Sequence, residues 1–186
     1  MNKIFNLYNL TKIKFFILNF FNFNRDSLFK FVINNLKNSY SQVFQDLFVI
    51  YLLNQKKNGY FIEIGVGNGV DLSNTYLLEK NYNWDGILCE PDIRNFDSIK
   101  KFRNSKLIES LIDNKCENNV EFYLHEDPYS SSSENIKGTL EKIYSKSLSL
   151  NHLFEKYNLN KVDYISIDTE GNEFEILKNF NFKKYD

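Results

Sequence analysis

The stretch that decides the fold is Tyr60-Phe61-Ile62-Glu63-Ile64-Gly65-Val66-Gly67-Asn68-Gly69. Its first half is a short apolar run of the kind that forms a strand buried on both faces of a sheet. The run stops at Gly65, where a glycine allows the backbone to turn with a positive φ. We therefore predict a buried strand over Tyr60–Ile64 that passes directly into a glycine-rich loop.

The sequence on both sides of this stretch alternates between strand and helix patterns. The predicted helices cover residues 42–53 with Ser41 as N-cap, 73–80, 92–102, 148–157 and 173–179. The other predicted strands cover residues 86–89, 106–112, 120–124 as an edge or hairpin strand, and 162–167. Strands that alternate with helices imply a mostly parallel sheet between two helical layers, which is a Rossmann-like α/β sandwich.

The composition is that of one principal domain. The 186 residues are 42% hydrophobic, which is enough for a substantial core. With 23 basic and 24 acidic residues the net charge is -1, and this balance argues against a nucleic-acid partner. The two cysteines form no disulfide framework and no metal-ligand spacing. We expect no metal and a cytoplasmic location.

The N-terminal residues form a separate amphipathic pattern. The apolar run at residues 15–23 is far shorter than the roughly 20 residues of a membrane span, and it lacks a signal-peptide cleavage site. We predict that residues 1–40 form a helical or amphipathic segment, which packs on the domain or on a partner subunit. Peripheral membrane contact is the alternative. Residues 41–186 form the ligand-binding domain.

An acidic residue follows the glycine loop at an informative distance. Glu90 ends the next predicted strand, 21 residues after Gly69. In Rossmann-like domains a carboxylate at this place accepts the ribose hydroxyls, while the amides of a loop such as Gly65, Gly67 and Gly69 approach the ligand closely. The combination predicts a site for a nucleoside-containing ligand, although either feature alone also fits an ordinary tight turn.

The charge beside the loop distinguishes two such ligands. A dinucleotide fingerprint reads G-x-G-x-x-G, whereas this loop reads G-x-G-x-G. Glu63 would repel a pyrophosphate but can pair with the ammonium of an amino acid. This favours S-adenosylmethionine over NAD. A partly buried acid bonded to loop amides is the alternative interpretation of Glu63, and it is compatible with the first.

A second pair of acids follows the last predicted strand, in the sequence Asp168-Thr169-Glu170-Gly171. Ligands of open α/β sheets collect at the carboxyl ends of the strands. Asp168 and Glu170 are therefore candidate catalytic residues that face the acceptor, deprotonate its hydroxyl or help to bind a metal ion. Capping of the following helix, with Asp168 or Thr169 at the N-cap, explains the same residues equally well.

From about Ser41 to its C-terminus the chain resembles the FkbM-type S-adenosylmethionine-dependent methyltransferases. The segments that carry the resemblance are Ser41-Gln42 with Gln45-Asp46, Gly59-Tyr60-Phe61-Ile62-Glu63-Ile64-Gly65, Ser73-Asn74-Thr75, Trp84-Asp85-Gly86 with Glu90-Pro91, and Val162 to Glu173. The resemblance implies a Class I methyltransferase that acts on hydroxyls of sugars, polyketides and other natural products.

The resemblance also implies which residues hold the cofactor. Glu63, Gly65 and Gly67 would line its methionine part, Glu90 would bind the ribose, and Asp113 would lie near the adenine. Gly69 of the same loop and Asn74 of the matching segment complete the predicted cofactor-binding set.

The chain departs from the family pattern at its C-terminal end. A Class I sheet normally has seven strands, but this sequence ends at Asp186, after the helix that follows the fourth predicted parallel strand. We therefore expect a C-terminally incomplete domain, with an open strand edge that a second subunit of a homo-oligomer would cover.

The predicted function is methyl transfer from S-adenosylmethionine to a hydroxyl of a saccharide or other small molecule. The alternatives are a catalytically inactive domain that only binds a nucleoside ligand or a partner, and an NAD-dependent oxidoreductase.

Overall fold

The computed structural model describes residues 25–126, 131 and 138–185. The chain divides into two units, Met1–Asn38 and Ser39–Asp186. In the first unit, helix α1 covers Arg25–Asn35 and is followed by a 3-10 turn at Leu36–Asn38. The predicted amphipathic run at residues 15–23 lies outside the described residues. Within the described ranges, no helix has the length and apolar character needed to cross a membrane.

The second unit alternates between strands and helices. In chain order its elements are α2 (Gln45–Leu52), β1 (Tyr60–Ile64), α3 (Tyr76–Tyr82), β2 (Asp85–Cys89), α4 (Phe96–Phe102), β3 (Lys106–Ile108), β4 (Leu111–Asp113), β5 (Glu117–His125), β6 (Thr139–Ser149), α5 (Leu150–Lys156), β7 (Tyr164–Ile167) and α6 (Glu173–Lys178). A 3-10 turn, Ile93–Asn95, leads into α4.

Four strands form a parallel sheet in the order β3-β2-β1-β7. Ile62 in β1 lies opposite Ile87 of β2 on one side and Ile165 of β7 on the other. Because β1 has neighbours on both sides and is covered on both faces, its sequence is an almost continuous apolar run. The result is a mixed α/β domain with a mostly parallel sheet, compatible with a Rossmann-like fold. The carboxyl ends of the strands share one edge.

The predicted single strand over residues 106–112 is wrong. β3 ends at Ile108 in the parallel sheet, whereas β4 begins at Leu111 in a second, three-stranded sheet of order β4-β6-β5. Between them, the amide of Ser110 donates to the carbonyl of Ile108 at 2.9 Å, and its hydroxyl donates to the carbonyl of Lys146 at 2.8 Å. This tight turn redirects the chain from one sheet to the other.

The second sheet is dominated by the antiparallel pairing of β5 with β6. β5 contains the predicted hairpin strand over residues 120–124, whereas β6 was not predicted. Most of its side chains are exposed or half-buried, so its sequence carries no apolar run that would predict a strand. Leu111, Phe122 and Leu124 form the small buried core of this sheet.

Four predicted helices begin later than the sequence suggested, and one of them, α4, begins at Phe96 rather than at residue 92, after a 3-10 turn. α2 begins at Gln45 because Phe44 takes a left-handed conformation, with φ at 63°, that a continuing helix does not allow. The predicted N-cap, Ser41, instead accepts a hydrogen bond from the amide of Asp46 at 3.1 Å. α3 begins at Tyr76 rather than at residue 73, and α5 begins at Leu150 rather than at residue 148.

The main core lies between the parallel sheet and the helices α5 and α6. Its buried members include Ile62, Ile64, Ile87, Leu150, Leu153, Phe154 and Ile176. Each such side chain contributes roughly 1.5–3 kcal/mol by leaving water. The same packing fixes the strand ends from which the functional loops emerge.

Candidate functional site

A cleft opens at the carboxyl ends of the parallel strands, where the loops after β1, β2 and β7 meet. It contains about 910 Å³ of empty space, part of which is open solvent. Five of the predicted site residues line this cleft: Gly65, Gly67, Glu90, Asp168 and Glu170. The other four are not among its wall residues: Glu63, Gly69, Asn74 and Asp113.

The glycine loop turns tightly as predicted, with φ at +78° for Gly65, +57° for Gly67 and +85° for Gly69. The reason for a glycine at position 65 differs from the expected one. A Cβ added there would lie 1.9 Å from the carbonyl oxygen of Asp168 at the end of β7. The close approach that requires Gly65 is therefore made by the protein backbone itself, which joins the loop to the neighbouring strand end.

Glu90 organises the loop from the end of β2. Its Oε2 accepts hydrogen bonds from the amides of Val66 at 3.0 Å and Gly67 at 2.9 Å, and its Oε1 accepts one from the amide of Asp92 at 2.9 Å. The side chain is buried, and this burial raises the pKa of Glu90 from 4.5 to about 7 although the three amides act against it. A carboxylate has about four acceptor positions. One position on Oε1 therefore stays available for a ligand hydroxyl.

Glu63, which the sequence predicted to lie at the methionine part of a cofactor, is not among the wall residues of the cleft. Its carboxylate is buried behind the loop and accepts hydrogen bonds from the amide of Asn74 at 2.7 Å and from the hydroxyls of Ser73 at 3.0 Å and Thr75 at 2.7 Å. The structure thus gives no direct support for the expected ion pair with a cofactor ammonium, which stays a prediction, because the oxygens of Glu63 already accept hydrogen bonds within the chain. The alternative interpretation, a buried acid bonded to the chain around it, is the one observed.

A buried arginine balances Glu63. The Arg103 guanidinium lies 3.3 Å from Oε2 of Glu63 and 2.9 Å from Oε2 of Glu79, and its side chain is fully buried. It also donates to the carbonyl of Gly69 at 3.0 Å. The sequence contained no pattern that indicated this triad, since its members lie on the β1, α3 and α4 parts of the chain. The triad fixes the rear of the glycine loop.

The remaining predicted cofactor residues support the cleft from behind. Gly69 packs on α4, where an added Cβ would meet Ile99 at 3.2 Å. Asn74 donates to the hydroxyl of Ser166 in β7 at 2.9 Å. Asp113 accepts a hydrogen bond at 3.3 Å from Asn172, which does line the cleft. Asp113 therefore contacts the cleft wall through Asn172 and does not line the cleft itself.

Asp168 and Glu170 line the cleft and do not cap α6. The N-cap of α6 is Asn172, and the amides of Thr169 and Gly171 donate instead to Oε1 of Glu173, at 2.9 and 3.1 Å. Crowding by protein atoms and the negative charge of Glu173 raise the pKa of Asp168 above its ordinary value. The capping explanation for Asp168 and Thr169 is therefore wrong, and Glu173 holds the loop that precedes the helix.

Other wall residues were missed by the sequence analysis. Ile112 and Phe122 come from the second sheet, whose existence had no local signal, and they give the cleft an apolar side. Asp71 follows the glycine loop, and its position just after Gly69 was the signal that could have indicated it. Ser131 is a further wall residue, and its hydroxyl accepts a hydrogen bond from Arg94 at 3.1 Å.

The cleft is strongly acidic. Four carboxyl groups line it, those of Asp71, Glu90, Asp168 and Glu170, and no lysine, arginine or histidine is among its described wall residues. Arg94, which donates a hydrogen bond to the wall residue Ser131, is paired with Asp92 at 2.6 Å. Over the described parts of the chain, no three His, Cys, Asp or Glu side chains are grouped as metal ligands. A cationic ligand fits this environment better than an anionic one.

This site has a glycine loop after the first strand of a parallel sheet, and the loop is joined to an acid at the end of the next strand. Such an arrangement is typical of Rossmann-like domains that bind nucleoside-containing ligands. The comparison with known families is more specific. A model of the Methyltransferase FkbM domain matches residues 63–186, and the chain belongs to this family of methyltransferases. No curated protein and no solved structure gives a significant match to the chain.

Proposed function

We propose that this chain binds S-adenosylmethionine in the cleft and transfers its methyl group to a hydroxyl of a saccharide or other small molecule. The observation that carries this proposal is the charge of the cleft, with four carboxyl groups and no basic side chain among the described wall residues. The sulfonium and ammonium groups of this cofactor are attracted by such a wall, whereas the pyrophosphate of NAD is repelled.

The groups around the cleft fit the parts of this cofactor. The open acceptor position on Oε1 of Glu90 suits a ribose hydroxyl, and the apolar side formed by Ile112 and Phe122 suits an adenine. The carboxylate of Glu63 already contacts Arg103 and the amide of Asn74. The negative potential that attracts the ammonium therefore comes from the carboxylates in the cleft wall. The proposed ligand is therefore the same as the sequence suggested, but other residues supply the negative charge.

When bound, the cofactor supplies a methyl group that is already activated by its sulfonium. The protein then has to orient the acceptor hydroxyl and exclude water. A carboxylate whose pKa is raised accepts a proton more readily than an ordinary one, so Asp168 is the stronger candidate for the base. Glu170, two residues further along the same wall, is the second candidate.

Isothermal titration with S-adenosylmethionine, S-adenosylhomocysteine and NAD tests the proposal. We expect both sulfur ligands to bind and NAD not to bind. Glu90→Ala removes a charged hydrogen bond to the ribose, and such a bond is worth about 1.5–3 kcal/mol, so affinity should fall by roughly 10- to 100-fold. Glu109→Ala is the matched control, because this acid is exposed and pairs with Lys100 at the surface.

The outcomes separate three functions. Tight binding of NAD with none of S-adenosylhomocysteine would overturn the proposal in favour of an oxidoreductase. Binding of S-adenosylhomocysteine without transfer of a radiolabelled methyl group to any hydroxyl acceptor would indicate a ligand-binding domain that lacks turnover. Equal affinities of Glu90→Ala and wild type would remove Glu90 from the site.

A further inference from the structure

An exposed apolar surface lies beside the mouth of the cleft. We call it the apolar rim, and its members are Val43, Phe44, Phe48 and Leu72, which are all exposed. Leu72 is also a wall residue of the cleft, as is Gln42 next to the other members. A parallel bridge between Ser41 and Leu72 joins the two segments of the rim. The rim is therefore continuous with the proposed methyl-transfer site.

Two residues of the rim have an unfavourable backbone conformation. Phe44 has φ at 63° and Leu72 has φ at 61°, which is the left-handed region that bulky side chains rarely adopt. Burial does not offset this strain, because Phe44 is 41% and Leu72 is 43% exposed. Glycine or asparagine would suit both positions better for folding alone. Strain that folding does not need is typical of sites that bind ligands.

The charge of the adjoining wall restricts what the rim can accept. Asp71 is the residue before Leu72, and Glu170 lies on the same cleft wall. A phosphate or carboxylate on the acceptor would be repelled by these groups, and the described wall offers no basic side chain to bind it. A cationic acceptor would in turn be repelled by the sulfonium of the bound cofactor. An acceptor that uses both the wall and the rim is therefore uncharged and partly apolar.

We propose that the apolar rim binds a hydrocarbon or aromatic part of an uncharged acceptor, whose hydroxyl enters the cleft beside Leu72. This inference rests on the proposed methyltransferase function and names the acceptor class for the same site. It distinguishes a glycoside or alcohol with an apolar substituent from a sugar phosphate or a nucleotide sugar. The rim then acts as a specificity determinant and does not take part in the chemical step.

Two glycosides that share one sugar test the rim. Binding of methyl β-D-glucopyranoside and of n-octyl β-D-glucopyranoside below its micelle concentration is measured by titration, on protein saturated with S-adenosylhomocysteine. We expect the octyl glycoside to bind at least about 10-fold more tightly, which corresponds to the burial of roughly two methylene groups. Glucose 6-phosphate should bind more weakly than either.

Polar variants of the strained positions locate the effect. Asparagine tolerates the left-handed region, so Phe44→Asn with Leu72→Asn removes the apolar side chains without adding strain. We expect this double variant to lose the octyl preference and to keep the urea midpoint of the wild type. Phe44→Asn alone changes no wall residue of the cleft, so it should weaken the octyl preference while its affinity for S-adenosylhomocysteine stays within about 2-fold of wild type. Leu140→Asn is the control, because Leu140 is 60% exposed on β6 and is not a wall residue.

Each other result overturns a defined part of the inference. If S-adenosylhomocysteine does not bind to the wild type, the proposed function fails and the rim proposal falls with it. If it binds but the two glycosides bind equally, or the Asn variant keeps the octyl preference, only the rim proposal is wrong. If the Asn variant instead loses sedimentation with phosphatidylglycerol vesicles and its affinity for monomeric octyl glycoside is unchanged, the rim contacts a membrane surface.

Discussion

Replacement of Arg103 by methionine should reverse the pH dependence of the contribution that Glu79 makes to the free energy of unfolding. Burial raises the pKa of Glu79, but the Arg103 charge, with hydrogen bonds from Ser105 and Asn104, outweighs it and lowers the pKa from 4.5 to about 2. In the wild type this shift contributes about 3 kcal/mol of stability, present above pH 4.5 and lost as the pH falls toward 2.

In Arg103→Met the carboxylates of Glu63 and Glu79 lose their buried counter-charge, and Glu79 keeps the partly exposed Lys80 at 3.0 Å. Removing one partner of a buried ion pair costs about 3–5 kcal/mol at neutral pH. Burial then raises the pKa of Glu79 above 4.5, so protonation relieves the variant as the pH falls. Each unit of this rise is worth about 1.4 kcal/mol. The loss of stability should therefore be smaller at pH 4.5 than at pH 7.

Urea denaturation at pH 4.5 and pH 7, followed by circular dichroism, gives the free energy of unfolding of wild type and variant. The titration of other groups cancels in the difference between the two proteins. Lys80→Met is the matched control, because Lys80 lies 3.0 Å from Oε1 of Glu79 but is 29% exposed. It should cost less than about 1 kcal/mol. Arg103→Lys, which keeps the charge, should recover part of the loss. An equal loss for Arg103→Met at both pH values would refute the reasoning.

Two further predictions concern the cleft. Gly65→Ala should lower the free energy of unfolding, measured with urea, by roughly 2–5 kcal/mol, because of its positive φ and the overlap with the Asp168 carbonyl. An added Cβ at Gly171 would meet no atom within 4 Å, so Gly171→Ala should show only the penalty of its positive φ. Equal losses for the two variants would contradict this prediction. Because a ribose hydroxyl needs the ionised form of Glu90, whose pKa is about 7, affinity for S-adenosylhomocysteine should fall about 10-fold from pH 8 to pH 6 relative to Glu90→Gln. A parallel pH profile for both proteins would exclude Glu90 as the titrating group.

The parallel sheet was predictable because its strands are buried on both faces. β1 was predicted with its exact bounds, and β2 and β7 within two residues at their starts. β6 was not predictable in the same way, because its largely exposed side chains leave no apolar pattern. The break at Ser110 depends on a hydrogen bond to Lys146, a residue far along the chain, and local periodicity contains no information about it.

The candidate site shows the same limit. Gly65, Gly67 and Glu90 were found because a loop and a strand end in sequence order determine their place in such a fold. The contact between Glu63 and Arg103 was not predicted, since no local pattern indicates that Arg103 is buried against this carboxylate. Charge beside a loop indicates a function only when the side chain is known to face the ligand and not the core.

The three amide bonds to Glu90 have a consequence for affinity. The carboxylate is already dehydrated and held in one orientation before any ligand arrives. A ligand therefore does not have to supply the free energy for stripping water from this group or for ordering the loop, both of which were met during folding. The raised pKa of Glu90 reflects this loss of hydration, and the cleft is preorganised for its ligand before binding.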